Sequence, residues 1–506
     1  MIWHYGRRFI IRTSGILLPV SSLPSPYGIG SLGREAYRFI DFLKQAGQRY
    51  WQILPIGPTG YGDSPYQSFS AFAANPYFID LDFLDEQGLL TKKEILSTTF
   101  GNDSEFVDYE MLYQNRIPLF SLAARRLSPN NVSFQAFCEK NADWLDDYAL
   151  FMALKEENGM VPFQNWPISL RLRKRDALHD AQSRLDDRVH VWKVMQFLFF
   201  KQWDAFIAYA HKNGVEIIGD IPIYISPDSS DLWTHPELFL VDEERKPTEV
   251  AGCPPDAFTA TGQLWGNPLY NWGRMEQDDY DWWIQRLSAA MHLYDVVRID
   301  HFRGFESYYA IPAADKDATG GHWRKGPGLQ LIDALKRRVP NIRIIAEDLG
   351  FLTDEVRHLV QASGFPGMKI LQFAFDSREK SDYLPYRYGR NCVVYTGTHD
   401  NTTTEDWQYS APQRNVEYAK RYLHVTDEGE FTYAMIRAAL GSVADTCIIP
   451  MQDYLCLGAR SRMNIPGTIG GNWRWRVRKE FLTQELADHI YSLSDLYGRI
   501  GDGNMA

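Results

Sequence analysis

Read for short apolar or β-branched runs bounded by turn residues, the chain offers eight strands: Gly15–Val20, Tyr50–Ile56, Val215–Ile223, Val296–Phe302, Ile344–Leu349, Met368–Phe375, Cys392–Thr396 and Cys447–Leu455. Most are continuously apolar instead of alternating, the pattern of parallel strands covered on both faces. Helical spacing falls between them. It is clearest over Val191–Lys212, where Val194, Phe197, Leu198 and Phe206 recur and Gly214 offers a stop. Shorter helices are predicted over Glu35–Gln45, Ile332–Arg338 and Asp354–Ala362, the last with Thr353 as its cap. Eight strands alternating with helices predict an α/β fold, a (β/α)8 barrel.

Two intervals are too long for ordinary connections and read as insertions at the C-terminal ends of the strands, mainly helical in character. Residues 57–213 separate the second and third strands and are rich in aromatics. Residues 224–295 separate the third and fourth and carry a loop composition, Gly252-Cys253-Pro254-Pro255-Asp256 followed by Gly262 and Gly266. No internal repeat or low-complexity tract occurs. At 506 residues an elaborated barrel accounts for the chain as one catalytic domain, 1–506.

A net charge of −11 argues against a nucleic-acid partner, which would need Lys and Arg to neutralise phosphates. The run Arg171, Arg173, Lys174, Arg175 is the local exception and reads as a surface segment. Cys138, Cys253, Cys392, Cys447 and Cys456 are sparse and lack CxxC spacing, so neither a disulfide framework nor a zinc site is expected. No apolar run approaches the ~18 residues of a membrane span, and the N-terminal MIWHYGRRFIIRTSG lacks an apolar core of signal-peptide length. Asn401-Thr402-Thr403 matches a glycosylation sequon beside Asp400, where a glycan would obstruct chemistry. The expected location is the cytoplasm.

A GxGxxG match at Gly28, Gly30 and Gly33 precedes a helical stretch. In a dinucleotide site the first glycine stands at the strand-helix turn, but here Ser21-Ser22-Leu23-Pro24-Ser25-Pro26 intervenes. The glycines are therefore expected to shape a loop over the pocket. No HExxH, Walker loop or GxSxG occurs, so no metal or nucleotide cofactor is expected.

Carboxylates remain. Asp300 in VVRIDHFRGFE, Glu347 in IIAEDLG and Asp400 in VVYTGTHDN each stand where an apolar run breaks into polar residues. Each has a structural alternative: an ion pair of Asp300 with Arg298 or Arg303, a helix-capping role at Glu347-Asp348, a simple turn at His399-Asp400. All three at strand ends on one barrel face favour a site, and paired carboxylates are the working groups of glycoside cleavage. Arg298, two residues before Asp300 and on the same strand face, is placed to hold that carboxylate ionised.

The segments GILLPVSSLPSPYGIGSLG (Gly15–Gly33), YGDSPYQSFSAFAANPYFIDLD (Tyr61–Asp82), GDIPIYISPDSSDLW (Gly219–Trp233), AGCPPDAFTATGQLWGNPLYNW (Ala251–Trp272), RIDHFRGFE (Arg298–Glu306), AEDLG (Ala346–Gly350), TGTHDNTT (Thr396–Thr403) and RMNIPGTIGGNW (Arg462–Trp473) carry a resemblance over nearly the whole length. They resemble the amylomaltases, the 4-alpha-glucanotransferases of glycoside hydrolase family 77. The resemblance implies a barrel of the α-amylase superfamily that needs no cofactor and acts on maltooligosaccharides and other α-1,4-glucans. Matched position by position, it implies Asp300 as nucleophile, Glu347 as general acid/base and Asp400 as transition-state stabiliser. Arg298, His399, Asp220, Trp265, Tyr66, Ser64 and Asn464 are implied as substrate-binding or supporting residues, Trp265 in a loop that covers the donor sugar. The strand-three form Ile221-Pro222-Ile223-Tyr224 is that of the transferases, where α-amylases carry a histidine after the acid.

Aromatic faces suit sugar rings and exclude water, and Tyr61, Tyr66, Phe69, Trp265, Tyr270 and Trp272 stand in these segments. Two further readings stay open: a hydrolase using the same acids, and a non-catalytic glucan-binding barrel, which the intact acid set disfavours. The first dozen residues and the stretch from Leu90 to His190 match the family pattern less sharply.

Overall fold

The computed structural model describes residues 12–60, 62–255, 260–350, 352–378 and 381–500. Its centre is a barrel of eight parallel strands: β1 (Thr13–Leu17), β2 (Tyr50–Gln52), β3 (Glu216–Ile221), β4 (Val296–Ile299), β5 (Ile344–Ala346), β6 (Gly367–Ile370), β7 (Cys392–Tyr395) and β8 (Thr446–Pro450). Hydrogen bonding runs in order from β6 through β7, β8 and β1 to β5. The Ala346 amide, donating to the Pro366 carbonyl at 2.9 Å, closes the ring between β5 and β6. The expected (β/α)8 architecture is present, and each predicted run contributes its strand. Several runs extended past the ladder, Val296–Phe302 stopping at Ile299, because buried apolar loop residues share the composition of strand residues.

Strand register places the chemistry. Asp220 of β3 pairs with Arg298 of β4, and Ile299 with Ala346 of β5. One step beyond, the Asp300 amide donates to the Ile221 carbonyl at 3.0 Å and the Glu347 amide to the Ile299 carbonyl at 3.1 Å. Both acids are therefore pinned by the ladder while their side chains clear the strand ends.

Residues between β2 and β3 fold mainly as helices, Tyr109–Arg126, Val132–Lys140, Ala142–Glu157 and Arg175–Arg184 among them, packed on the long helix Asp186–Lys212. That helix begins more than a turn before the predicted Val191. Its first half meets the other helices, with Trp192 against Tyr148 and Phe197 against Phe134. Its second half meets the barrel, with Phe206 against Trp51 and Trp203 against Tyr294. The predicted cap is present at Thr353, whose hydroxyl accepts from the Val356 amide.

The stretch with loop composition departs from the mainly helical expectation. Glu249–Cys253 and Gln263–Pro268 join Ser307–Pro312 and His322–Lys325, which follow β4, in a separate four-stranded antiparallel sheet. Short strands interrupted by Gly252 and Gly266 carry too little alternation to be read as strands.

The glycine triplet is packed inside. A Cβ on Gly33 would lie 1.9 Å from Asp80 Oδ2, and one on Gly30 would lie 1.9 Å from the Val20 carbonyl oxygen. An aspartate carboxylate thus fills the place at the start of helix Arg34–Gln45 that a pyrophosphate would need. The loop packs closely against its neighbours, Gly30 against Val20 and Gly33 against Asp80.

Gly219, beside Asp220 in β3, faces the Tyr294 ring, whose atoms lie 2.2 Å from where a Cβ would stand. Gly219→Ala is expected to destabilise the fold by about 1–3 kcal/mol through overpacking. A thermal-unfolding scan reads this as a lower midpoint, and an unchanged midpoint would contradict this packing.

Candidate active site

Arg298 is the hub of the site. Its Nη1 donates to both Asp220 oxygens, at 2.8 and 2.7 Å, its Nη2 stands 3.0 Å from Asp300 Oδ1, and its Nε meets Met368 Sδ at 3.4 Å. Arg298 and Asp220 are 3% and 0% exposed, so Asp220 reaches the cleft only through its partners. The Asp300 side chain is 31% exposed and open to a ligand. Of the alternatives for Asp300, the ion pair with Arg298 is real and coexists with that opening. Arg303 turns away to lie 4.2 Å from the Trp323 ring centroid.

Tyr66 continues the network. Its hydroxyl donates to Asp220 Oδ2 at 2.8 Å and lies 2.9 Å from His399 Nε2, with the two rings stacked at 5.3 Å. Trp473 packs against both rings. His399 Nε2 stands 3.4 Å from Asp400 Oδ2, and Asn464 donates to Asp400 Oδ1 at 2.6 Å. Arg462 donates to the Asp400 backbone carbonyl at 2.8 Å.

Glu347 is held differently. The amides of His301 and Leu349 donate to its two oxygens at 2.7 and 2.8 Å. It caps no helix. Its neighbour Asp348 accepts from the Met368 amide at 2.7 Å, securing the start of β6.

These environments separate the acids. Burial, then the neighbouring Asp300 carboxylate, raises Glu347 to about 7 against the pull of Arg298 and the two amides. Burial, Asp220 and Asp400 raise Asp300 too, but Arg298 pulls it back, leaving it at about 6. Arg298 thus works to keep Asp300 ionised, while the Asp300 carboxylate works to keep Glu347 neutral. Asp400 is also desolvated, yet His399 and the Asn464 hydrogen bond outweigh this and hold it well below the carboxylate range. His399 is raised in turn, burial being outweighed by Asp400.

Of the remaining sequence candidates, Trp265 borders the cleft, partly exposed and edge-on to His301 with centroids 4.8 Å apart. Ser64 is placed as a support: its hydroxyl accepts from the Tyr66 amide at 3.3 Å. Phe69 is buried beneath Lys155, and Tyr270, in contact with Trp272, is buried with its hydroxyl on the Ile223 carbonyl, so these serve packing. Tyr61 lies outside the described residues. Trp473 and Arg462 stand in the RMNIPGTIGGNW segment and His301 directly after Asp300, and none of the three carries a signal of its own in the sequence. Among the described residues no group of His, Cys, Asp and Glu is arranged to hold a metal ion, and no helix is long and apolar enough to cross a membrane.

The profile of the 4-alpha-glucanotransferases of glycoside hydrolase family 77 matches residues 18–483. The chain belongs to that family. The 4-alpha-glucanotransferase of Clostridium butyricum is 47% identical over 95% of this chain and 99% of its own. That of Streptococcus pneumoniae is 48% identical over 97% and 98%. The solved amylomaltase of Streptococcus agalactiae, in complex with acarbose, superposes with a TM-score of 0.94 at 40% identity over 96% of this chain and 99% of that one. Family membership makes the protein an enzyme of the 4-alpha-glucanotransferase class, and its barrel is the family's barrel.

The electrostatic reading is testable without turnover. Asp300→Asn removes the negative neighbour that helps raise Glu347, so the Glu347 midpoint should fall below about 7. Carbon-13 NMR of labelled glutamate carboxyls measures it, and an unmoved midpoint would contradict the coupling.

Proposed function

We propose that this glucanotransferase moves α-1,4-glucan segments between maltooligosaccharides by double displacement through a covalent glycosyl-Asp300 intermediate. The observation that carries the reading is the division of labour between two neighbouring acids: Asp300 is paired with Arg298, while Glu347 is pushed up to about 7. In the first step an Asp300 oxygen attacks the anomeric carbon as the C1–O4 bond breaks. The Glu347 proton passes to the departing O4, and the leaving glucan carries it away as a hydroxyl. In the second step Glu347, now ionised, takes the proton of an acceptor 4-hydroxyl. That oxygen forms the new C1–O4 bond, Asp300 is released, and the configuration is retained.

Asp400 stays ionised beside the oxocarbenium-like centre and stabilises its positive charge. Arg298 and Asp220 orient Asp300; Tyr66, His399 and Asn464 orient Asp400 and contact the sugar; Ser64 supports Tyr66; Trp265 covers the donor. On this reading the chain acts as one catalytic unit, 1–506, with 57–213 and 224–295 as outgrowths that shape the cleft. A cytoplasmic location fits the five cysteines, sparse and without CxxC spacing, which suit a reducing compartment.

The test is the product profile from maltotriose followed in time. Glucose together with dextrins longer than the substrate is expected. Shorter sugars alone, with matching new reducing ends, would make the enzyme a hydrolase, and no reaction would overturn the reading.

A further inference from the structure

The loop that carries His399 and Asp400 is tied at both ends by one buried carboxyl group. Residues 397–403 connect β7 and the adjoining Thr396 to helix Thr404–Ser410. Asp453, in helix Met451–Tyr454 directly after β8, reaches both ends of that connection. Its Oδ2 accepts from the Thr396 hydroxyl at 2.5 Å and from the Thr404 hydroxyl at 2.7 Å, and its Oδ1 accepts from the Thr404 amide at 2.8 Å. All three residues are buried. Lengths of 2.5 and 2.7 Å are those of hydroxyls donating to an ionised acceptor. Burial raises the Asp453 pKa, the threonine donors pull it back, and nearby Glu405 raises it again. A carboxylate at this depth depends on its donors, and here all of them belong to the two ends of one loop.

Between its ends the loop is stitched together. Asn401 Oδ1 accepts from the amide and the hydroxyl of Thr398, both at 2.9 Å. Gln372 Nε2 donates to the Thr402 carbonyl at 2.9 Å, and the Thr403 hydroxyl caps the following helix by accepting from the Asp406 amide. A Cβ on Gly397 would lie 2.8 Å from Gln372 Nε2, so there is no slack where the loop begins. A loop knit this closely shifts as one body, and its place is set where it is attached. Arg462 and Asn464, which bond Asp400 directly, lie further along the same stretch of chain after β8.

We propose that Asp453 is a positioning residue for the reaction: by holding Thr396 and Thr404 together it fixes the loop that presents Asp400 to the anomeric centre. This rests on the reading of Asp400 as the group that stabilises the oxocarbenium-like charge. Such stabilisation weakens as the two charges separate, and a misplacement of about 1 Å in a working group can cost on the order of 100-fold in rate. Asp400 faces the transition state of glycosyl transfer to Asp300 and that of transfer away from it. Loosening the loop therefore slows both steps alike, so turnover falls while the donor KM, which follows their ratio, stays close to its value.

The test is a double-mutant cycle with α-maltosyl fluoride as donor and saturating glucose as acceptor, run at a temperature where circular dichroism shows each variant folded. Asp453→Ala removes the bridge. Asp453→Asn keeps it, since the amide oxygen can still accept from the Thr404 amide while its NH2 group donates to the two hydroxyls. Asp453→Ala is expected to lower kcat by at least about tenfold with the donor KM within about threefold, and Asp453→Asn to recover most of that loss. In the Asp400→Asn background, where no carboxylate is left to place, Asp453→Ala should cost less than about threefold; a mere loss of folded enzyme would cost the same in both backgrounds. Full activity in Asp453→Ala, equal losses in the two backgrounds, a loss confined to KM, or no recovery in Asp453→Asn would overturn the proposal. Should Asp453→Ala fail to fold, Thr404→Val, which deletes one hydroxyl of the bridge and keeps the shape, carries the same comparison. Asp400→Asn alone keeps the two readings apart: near-wild-type turnover in that variant would refute the role of Asp400 whatever Asp453 does.

Discussion

The site depends on one buried cation. Arg298 is removed from water and spans two carboxylates, Asp220 behind it and Asp300 before it. A guanidinium at such depth is tolerable only with its charge answered and its donors used, and the planar fork of arginine does both at once. Asp220 takes two of its hydrogen bonds and Asp300 receives the charge from the other side. The arrangement follows from register: pairing of Asp220 with Arg298 across β3 and β4 puts them side by side, and period-two alternation puts Asp300 on the same face. A slip by one residue would turn the cation out of the barrel and leave both acids unpaired.

From that cation the three site acids acquire different characters without any difference in their own chemistry. Asp300 has the cation. Glu347 has two amide hydrogen bonds and a negative neighbour, and is the one driven toward the neutral form. Asp400 has His399 and Asn464, which hold it ionised. Tyr66 links the two halves, because its hydroxyl touches both Asp220 and His399. A change at the fully buried Asp220 therefore spreads through Arg298 to Asp300 and through Tyr66 to His399, beside Asp400. Groups that act as a unit in this way lose function together, so single deletions do not partition the effect among them.

What the sequence made legible follows physical range. The barrel strands were readable because residues buried on both faces must be apolar throughout, and Gly364 in left-handed conformation at the end of helix Asp354–Ser363 shows how local punctuation works. The acids were readable by their conjunction, since each alone had a structural alternative but all three close apolar runs on one barrel face. Strand ends were not, since Phe302 is as apolar and as buried as a strand residue. The four-stranded sheet was not, since it joins segments from both sides of β4 and no local pattern reports that pairing. Trp473 and His301 were missed for another reason: their meaning lies in contacts made across the fold, with Tyr66 and His399 for the first and with Trp265 and Glu347 for the second.

The central claim is that Asp300 carries the glycosyl group between donor and acceptor. Mass spectrometry of the acid-quenched Glu347→Gln variant after exposure to α-maltosyl fluoride tests it directly, since fluoride leaves without a proton and the missing base slows release of the intermediate. The account predicts a maltosyl adduct on the peptide containing Asp300. An adduct on another residue, or none while fluoride is still released, would contradict it.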